Sequence, residues 1–196
     1  MKINIDQLKE TYDLTGRRVA VVATNGFEQS ELEVPVEALE ACGAQVSIVS
    51  PESGSIRGWM EKEWGDSRDV TLTVDVADPD DYHALVLPGG VLNSDTLRMN
   101  SDAVDFVRTF FARHKPVAAI CHAGQILIEA GVVNGRRMTS YPSIRKDLEN
   151  AGANWVDESV VIDEGLVTSR RPDDLPDFCD KLCEEILEGV HPHQHA

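Results

Sequence analysis

A cysteine followed directly by a histidine is the feature of this sequence best suited to covalent chemistry. Cys121 ends an apolar run of strand type at residues 116–120, and His122 precedes a segment of helical pattern. The small residues Ala119 and Ala123 flank this pair and permit the tight bend of a nucleophile elbow. A helix N-terminus at such a bend favours the thiolate, and an adjacent imidazole can take the thiol proton. The pattern therefore predicts Cys121 as a nucleophile and His122 as its general base.

Each of these two residues also has an interpretation without chemistry. A cysteine at the end of a strand is often a small buried hydrophobe, and a histidine at the start of a helix can hydrogen-bond to the backbone. The small flanking residues and the adjacent imidazole favour the catalytic interpretation of Cys121.

Two further loops are expected beside this turn, because ligands of open parallel sheets bind beyond the carboxyl ends of the strands. Residues 25–28 follow the first predicted strand, and residues 89–95 follow another. Gly89 and Gly90 let the backbone approach a substrate, so their N–H groups can act with that of His122 as an oxyanion hole. A simple turn is the alternative interpretation of the two glycines.

Two acidic residues in these loops are candidates for controlling protons. Glu28 stands near the start of the first helix, where its carboxyl can reach the thiol of Cys121 and titrate jointly with it. Its alternative role is to complement the helix dipole. Asp95 is the nearest acid that could orient His122, either from its own subunit or from another.

The elements that position these residues alternate between strands and helices. A strand at 18–24, a helix at 30–42 and a strand at 45–50 predict a right-handed βαβ unit and a parallel sheet. Further strands are predicted at 70–76, 84–88, 116–120 and within a hairpin at 160–169, and further helices at 101–114 and 172–190. Residues 51–69 are expected to form a loop with one short hairpin, whose two tryptophans pack on the body or, alternatively, line a pocket.

The composition favours one α/β domain, since 196 residues of which 42% are hydrophobic suffice for a sizeable core. We expect this domain at residues 17–190, after a polar extension at 1–16 and before a flexible tail at 191–196. The histidines of that tail are His191, His193 and His195. They could chelate a metal, but an unstructured tail is favoured, so the sequence predicts no metal site and no cofactor.

The charge of the chain argues against two classes of partner. A formal net charge of −16 repels nucleic acids and anionic membrane surfaces. No apolar run approaches the roughly 20 residues of a membrane span, and the first residues lack the apolar core of a signal peptide. The four cysteines form no C-x-x-C pair, which indicates free thiols in a reducing compartment. We therefore expect a cytoplasmic protein without nucleic-acid or membrane partners.

Five short motifs stand out as a set. They are Asn25-Gly26-Phe27-Glu28, Leu85-Val86-Leu87-Pro88-Gly89-Gly90, Ala119-Ile120-Cys121-His122, Thr139-Ser140-Tyr141-Pro142 and Thr168-Ser169-Arg170. Together they resemble the PfpI intracellular protease family, within the superfamily of the Parkinsonism-associated deglycase and the class I glutamine amidotransferases. The resemblance extends from about Arg17 to Leu187.

This resemblance implies a flavodoxin-like three-layer α/β sandwich with a mostly parallel central sheet and a nucleophile elbow. It also implies a homodimer or larger homo-oligomer whose sites lie near subunit contacts, with one acid donated by the neighbouring subunit. The site residues that it implies are the nucleophile Cys121, its partner His122, Glu28 hydrogen-bonded to the thiol, the donated acid Asp95, and Gly89, Gly90 and Tyr141 for substrate binding.

The sequence departs from the family pattern near the site. Ala123 replaces the glycine that usually follows Cys-His, and Val91 stands where an arginine often follows the two glycines. The amidotransferase branch is excluded because it requires a downstream His-x-Glu, which does not occur after Cys121.

The activities known for the family are those of peptidases, glyoxalases and deglycases, and many members are general stress proteins. We predict a stress-response cysteine hydrolase or lyase that acts on a small carbonyl or acyl centre of an aldehyde, a glycated molecule or a peptide. Adduct repair is favoured over proteolysis, since the sequence shows no sign of an extended peptide groove. The alternative is a noncatalytic redox sensor or holdase in which Cys121 is oxidised to a sulfinate that Glu28 stabilises.

Overall fold

The computed structural model describes residues 3–194 as an α/β fold of twelve strands and seven α-helices. The strands are β1 (Arg18–Val22), β2 (Phe27–Glu28), β3 (Gln45–Ser50), β4 (Ser55–Met60), β5 (Glu63–Asp69), β6 (Leu72–Thr73), β7 (Ala84–Leu87), β8 (Val117–Ile120), β9 (Arg137–Met138), β10 (Asn154–Trp155), β11 (Val160–Asp163) and β12 (Leu166–Ser169). The helices are α1 (Ile5–Thr11), α2 (Gln29–Ala41), α3 (Val91–Arg98), α4 (Ser101–Ala112), α5 (Gly124–Ala130), α6 (Arg145–Asn150) and α7 (Leu175–Glu188).

The central sheet has seven strands in the order β11-β12-β8-β7-β1-β3-β6. All neighbouring pairs are parallel except β11 and β12, which form the hairpin predicted from the sequence. The predicted α/β class with a mostly parallel sheet is therefore confirmed. Two small sheets lie outside it, one formed by β2, β4 and β5 and the other by β9 and β10.

Apolar cores cover both faces of the central sheet, which explains why its middle strands lack a polar alternation. Along β1, Ala20 and Val22 belong to one core with helices α4 and α5, whereas Val19 and Val21 belong to the other with α2 and α7. Every residue of β7 and β8 is buried. These strands therefore form a rigid base that ends at the predicted site.

The segments before and after the predicted domain pack onto it. Helix α1 buries Leu8, and Leu14 is fully buried in the same core as α2 and α7. In place of the expected flexible tail, residues 191–194 lie against the body of the protein. The backbone N–H of His191 donates to the carbonyl of His114 at 2.8 Å, and Gln194 is buried. Residues 195–196 lie outside the described part of the chain.

Two elements differ from the prediction. The strand expected at 70–76 is reduced to Leu72–Thr73 at the edge of the sheet, because the chain turns after it and leaves Val76 exposed. Residues 89–95 were expected as a loop, but the chain from residue 91 onward forms helix α3. No helix between residues 3 and 194 has the length and hydrophobicity needed to span a membrane.

Candidate active site

Cys121 occupies a strained turn at the carboxyl end of β8. Its φ is +62°, in the left-handed region that residues with a side chain rarely adopt. The backbone N–H of Tyr141 donates to the Cys121 carbonyl at 3.0 Å and holds the turn in place. Such strain costs on the order of 1–3 kcal/mol and is concentrated at functional sites. The structure thus forms the sharp bend between strand and helix that the sequence predicts.

The imidazole of His122 lies between the thiol and a hydroxyl group. Its Nδ1 is 3.2 Å from Cys121 Sγ, and its Nε2 is 3.1 Å from the Oγ of Ser143. The ring also stacks on Tyr141, with centroids 4.8 Å apart. Burial lowers the pKa of His122, so the ring is neutral at pH 7 and can accept a proton. The structure therefore brings Cys121 and His122 together. The residue that can orient His122 is Ser143, whereas the sequence had suggested Asp95 for this role.

Glu31 supplies the carboxyl next to the sulfur. This residue lies one turn into helix α2, is fully buried, and accepts a hydrogen bond from the Gly89 N–H at 2.9 Å. Its carboxyl also lies beside the Cys121 thiol, close enough for each group to shift the pKa of the other. Burial, together with the charge of Glu28, raises the pKa of Glu31 to about 8. A carboxyl with this pKa holds its proton at pH 7.

The thiol itself experiences opposing influences. Burial is the main reason that the pKa of Cys121 is raised, and the charge and hydrogen bond of Glu31 act in the same direction. The backbone N–H groups of His122 and Gly90 point at the sulfur and lower this pKa. Proton transfer between Cys121, Glu31 and His122 therefore decides how much thiolate exists.

Glu28 does not take the position that the sequence assigns to it. It is half-buried at the N-terminus of α2, where its Oε1 accepts a hydrogen bond of 3.4 Å from Ser30. Burial raises its pKa. Its carboxyl faces the same pocket as the thiol, but the thiol's carboxyl partner is Glu31.

The two glycines have separate roles. Gly90 has a φ of +93°, and a side chain there would collide with the Gly26 carbonyl and lie 2.7 Å from the Glu28 nitrogen. Its N–H is aimed at Cys121 Sγ. The N–H of Gly89 is instead bound to Glu31 and is not available to a substrate. The donors next to the sulfur are therefore those of Gly90 and His122.

Asn93 fixes the glycine loop through side-chain hydrogen bonds that its residue type does not predict. Its buried side chain accepts from the Thr24 N–H at 2.7 Å and donates to the carbonyls of Pro88 and Gly89 at 3.0 Å. Asp95, two residues further along α3, is exposed and does not line the pocket within this chain. The structure therefore leaves Asp95 apart from His122 in the same subunit.

A pocket of about 620 Å³ opens above the thiol. Trp59 belongs to its wall, so one of the two tryptophans takes the alternative role considered for them, and its ring meets Trp64 edge-on at 5.5 Å. The pocket is lined by Gly26, Glu28, Glu31, Trp59, Glu61, Gly90, Val91, Leu92, Cys121, His122, Tyr141 and Pro172. Its walls thus combine apolar, aromatic and acidic groups around one sulfur.

Comparison with known proteins links this site to a family. The DJ-1/PfpI family model matches residues 17–185. Deglycase PH1704 of Pyrococcus horikoshii is 46% identical over 158 residues, which cover 81% of this chain and 92% of that protein. General stress protein 18 of Bacillus subtilis is 41% identical over 165 residues, which cover 83% of this chain and 94% of that protein. The crystal structure of Drosophila melanogaster DJ-1beta has a TM-score of 0.79 at 27% identity, covering 87% of this chain and 90% of that one.

Proposed function

Because the chain belongs to the DJ-1/PfpI family, we propose that it is a cysteine-dependent hydrolase or lyase that acts on small carbonyl compounds, as a deglycase or glyoxalase does. Cys121 is the nucleophile, His122 the general base and Glu31 the carboxyl that holds the proton of the pair. Similarity to proteins named deglycase and general stress protein supports an enzyme of the stress response.

The observation that carries the proposal is the geometry of the elbow. The positive φ of Cys121 directs its sulfur toward the pocket, with His122 Nδ1 at 3.2 Å. A strained turn that holds a thiol beside a neutral imidazole and two backbone N–H groups has the parts of covalent catalysis. A purely structural cysteine would not need this turn.

Glu31 explains how a buried sulfur can ionise. A protonated Glu31, with its pKa of about 8, can donate its O–H to the sulfur and stabilise the thiolate. The two groups then share one proton, and their titrations are coupled. The reactive form carries that proton on Glu31 and the negative charge on Cys121.

A 2-oxoaldehyde would react as follows. The thiolate of Cys121 forms a bond to the aldehyde carbon, and the carbonyl electron pair moves to oxygen, which accepts hydrogen bonds from the N–H groups of Gly90 and His122. His122 removes the proton on that carbon and returns it to the neighbouring carbon, leaving a thioester. Water then cleaves the C–S bond and releases a 2-hydroxy acid and the thiol. The net change is the addition of one water molecule.

The pocket favours a small substrate over a polypeptide. Its volume of about 620 Å³ suits a compact adduct, and Trp59 and Tyr141 add flat apolar surfaces to its lining. Peptidase activity stays the weaker proposal for this site. Both activities would depend on the same nucleophile, so the assay must compare substrates as well as variants.

Lactate release from methylglyoxal tests the proposal directly. We expect wild-type protein to form lactate and Cys121→Ser to lose at least about 100-fold in rate, because a hydroxyl is a far weaker nucleophile. Cys42→Ala is the matched control, since Cys42 lies in the core away from the pocket. Equal rates for wild type and Cys121→Ser would contradict the enzymatic proposal. A second assay, the release of amines from glycated substrates, distinguishes deglycase activity from glyoxalase activity.

A second candidate function is redox sensing at the same sulfur. A protonated Glu31 next to Cys121 can donate a hydrogen bond to a sulfinate oxygen and stabilise that oxidation state. Mass spectrometry after mild peroxide treatment measures the addition of two oxygens at Cys121. Selective addition in a protein that turns over none of the carbonyl substrates would favour sensing over catalysis.

Assembly, location and the role of Asp95 are further parts of the proposal. The exposed apolar side chains Val91 and Leu92 at the pocket rim favour contact with a second copy of the chain, which would bring Asp95 of α3 near a neighbouring site. Light scattering after size exclusion should show a dimer or larger species that Leu92→Asp dissociates, and a monomeric wild type would contradict this.

The net charge of −16 supports the absence of nucleic-acid and membrane partners, and free thiols support a location in the cytoplasm.

A further inference from the structure

The end of helix α7 carries a group of side chains that the proposed chemistry does not use. We propose that Glu185, Glu188 and His191 form a binding site for a divalent transition-metal ion, for which Zn²⁺ is the natural probe. One ligand atom from each residue lies within 4.8 Å of the others. Two carboxylates and one imidazole are ligands that such ions accept. The group lies near the amino ends of β8 and β12, away from Cys121 at the carboxyl end of β8.

Buried polar atoms without hydrogen bonds are the second observation. Glu185 is only 5% exposed, and its Oε2 makes no hydrogen bond to any described residue. The same holds for Nε2 of His191, although the two atoms are 3.1 Å apart. Burying a carboxylate oxygen in this way is costly, and a cation between the two atoms would offset the cost.

The separation of these atoms fits joint ligation. Two ligands at zinc bond lengths of about 2.0–2.1 Å on a tetrahedral ion are roughly 3.3 Å apart. The 3.1 Å between Glu185 Oε2 and His191 Nε2 is close to that value. An ion pair without metal would direct an N–H at the carboxylate, and this hydrogen bond is not formed.

The backbone holds the three ligands in place before any ion binds. Glu185 and Glu188 are three residues apart on α7, so both face the same side of the helix. Gly189 follows with a φ of +90° and ends the helix, which lets the chain return toward β8. The two carboxylates are thus fixed by the helix, and the glycine directs the third ligand back to them.

His191 is fixed from two sides. Its backbone N–H donates to the carbonyl of His114 at 2.8 Å, and its ring packs on Gly165, where a Cβ would lie 2.6 Å from the ring. Nδ1 of His114 is in turn 2.8 Å from the carbonyl of Gln194. A bound ion would therefore connect residues 191–194 to α7 and stabilise the folded chain. His191 would then have a structural role, although its sequence pattern predicted a flexible tail.

Calorimetric titration of Zn²⁺ into chelator-treated full-length protein tests the site. The measurements use a Cys121→Ser background, so that thiolate binding at the pocket is not counted. We expect one ion per chain and, at a Zn²⁺ concentration 100-fold above Kd, a rise in Tm of about 5 °C or more. Glu188→Gln and His191→Gln should each reduce the affinity at least about tenfold, which at the same Zn²⁺ concentration leaves about half of the rise in Tm or less.

Two control variants keep the test specific. Glu184→Gln removes the same charge one residue away but no proposed ligand, so it should bind Zn²⁺ like its parent. The double variant His193→Gln and His195→Gln should also bind normally. Absence of binding in the parent, equal binding by Glu188→Gln, or loss of binding in the double variant would overturn the three-residue site.

Discussion

Glu31 and Cys121 form a pair in which the proton state of one sets the reactivity of the other. At pH 7 Glu31 keeps its proton and can donate it to the sulfur, whereas Glu31→Gln has no transferable proton to stabilise the thiolate. We expect the rate of Cys121 alkylation by iodoacetamide at pH 7 to fall about tenfold in this variant, because less of the sulfur is present as thiolate. Peptide mass spectrometry across a pH series measures the rate at this one thiol.

The control for this prediction is Glu37→Gln, an exposed carboxyl on the same helix. It should alkylate like wild type at every pH. If Glu31→Gln instead reacts faster than wild type at pH 7, Glu31 acts mainly through a negative charge that disfavours the thiolate, and its proposed role as proton donor is contradicted.

Ser143 should act on the reaction only through the orientation of His122. Ser143→Ala removes the hydroxyl 3.1 Å from Nε2, while the stacking on Tyr141 still holds the ring. We expect kcat for lactate formation to fall about fivefold with KM unchanged, whereas His122→Ala should lose about 100-fold as a missing general base. Ser101→Ala, on α4 away from the pocket, is the control. Equal losses for Ser143→Ala and His122→Ala would show that the hydroxyl has a direct role.

The residues that the sequence could identify are those whose role follows from their neighbours in the chain. Cys121 and His122 are adjacent and flanked by alanines, so the bend was predictable. The role of Glu31 was not predictable from the sequence. Glu28 and Glu31 are three residues apart, and the residue at which α2 begins decides which of their carboxyls faces the sulfur. The helix begins at Gln29, which leaves Glu28 at the N-cap and turns Glu31 inward. Ser143 could not be found because its contact spans 21 residues.

At the scale of elements, the loop after β7 controls the site through one backbone position. Gly90→Ala should lose activity and fold stability together, since its methyl group would collide with the Gly26 carbonyl and displace the N–H aimed at the sulfur. Gly131→Ala is a matched control: Gly131 also has a positive φ, of +75°, but open space around it. It should cost only about 1 kcal/mol from backbone strain and keep full activity.

Thermal unfolding and lactate assays on both variants measure this difference. For a chain of this size, 1 kcal/mol corresponds to a Tm decrease of about 2–4 °C. A Gly90→Ala variant with Tm and activity equal to those of Gly131→Ala would show that the loop can relax, and that close packing of the glycine is not required.

Strands and long helices were predictable from pattern, and short elements were not. β1, β7 and β8 read as uninterrupted apolar runs because both faces are covered, and helix α4 shows its buried phenylalanines at helical spacing. Helix α3 has no comparable apolar stripe. Its position depends on buried Asn93, whose hydrogen bonds to the loop before it cannot be read from residue type.

At the scale of the whole molecule, the parallel order of the sheet was predictable, and the attachment of the chain ends was not. A βαβ pattern fixes the handedness and direction of neighbouring strands. The docking of residues 191–194 depends on contacts of His191 with His114 and Gly165, which are 77 and 26 residues earlier in the chain. A polar segment with this composition gives no hydrophobic signal for such contacts.

The pH dependence of global stability follows from the buried carboxyls. The pKa of Glu31 is raised from 4.5 to about 8, so between these values the folded chain keeps a proton that the unfolded chain releases. The contribution of Glu31 to the free energy of unfolding is therefore largest below pH 4.5. It decreases as the pH rises from 4.5 to 8. The loss amounts to a few kcal/mol, on the order expected for such a shift. Burial also raises the pKa of Glu185, which acts in the same direction.

Urea unfolding of wild type and Glu31→Gln at pH 5 and pH 8 isolates the contribution of Glu31, because Glu185 is present in both. We expect the urea midpoint of wild type to decrease between the two pH values by more than that of Glu31→Gln, since glutamine releases no proton. The two proteins should be closest at pH 5, where Glu31 is neutral in the folded state. Parallel decreases in both proteins would mean that Glu31 ionises normally in the fold, and the thiol of Cys121 would then have lost its proposed source of control.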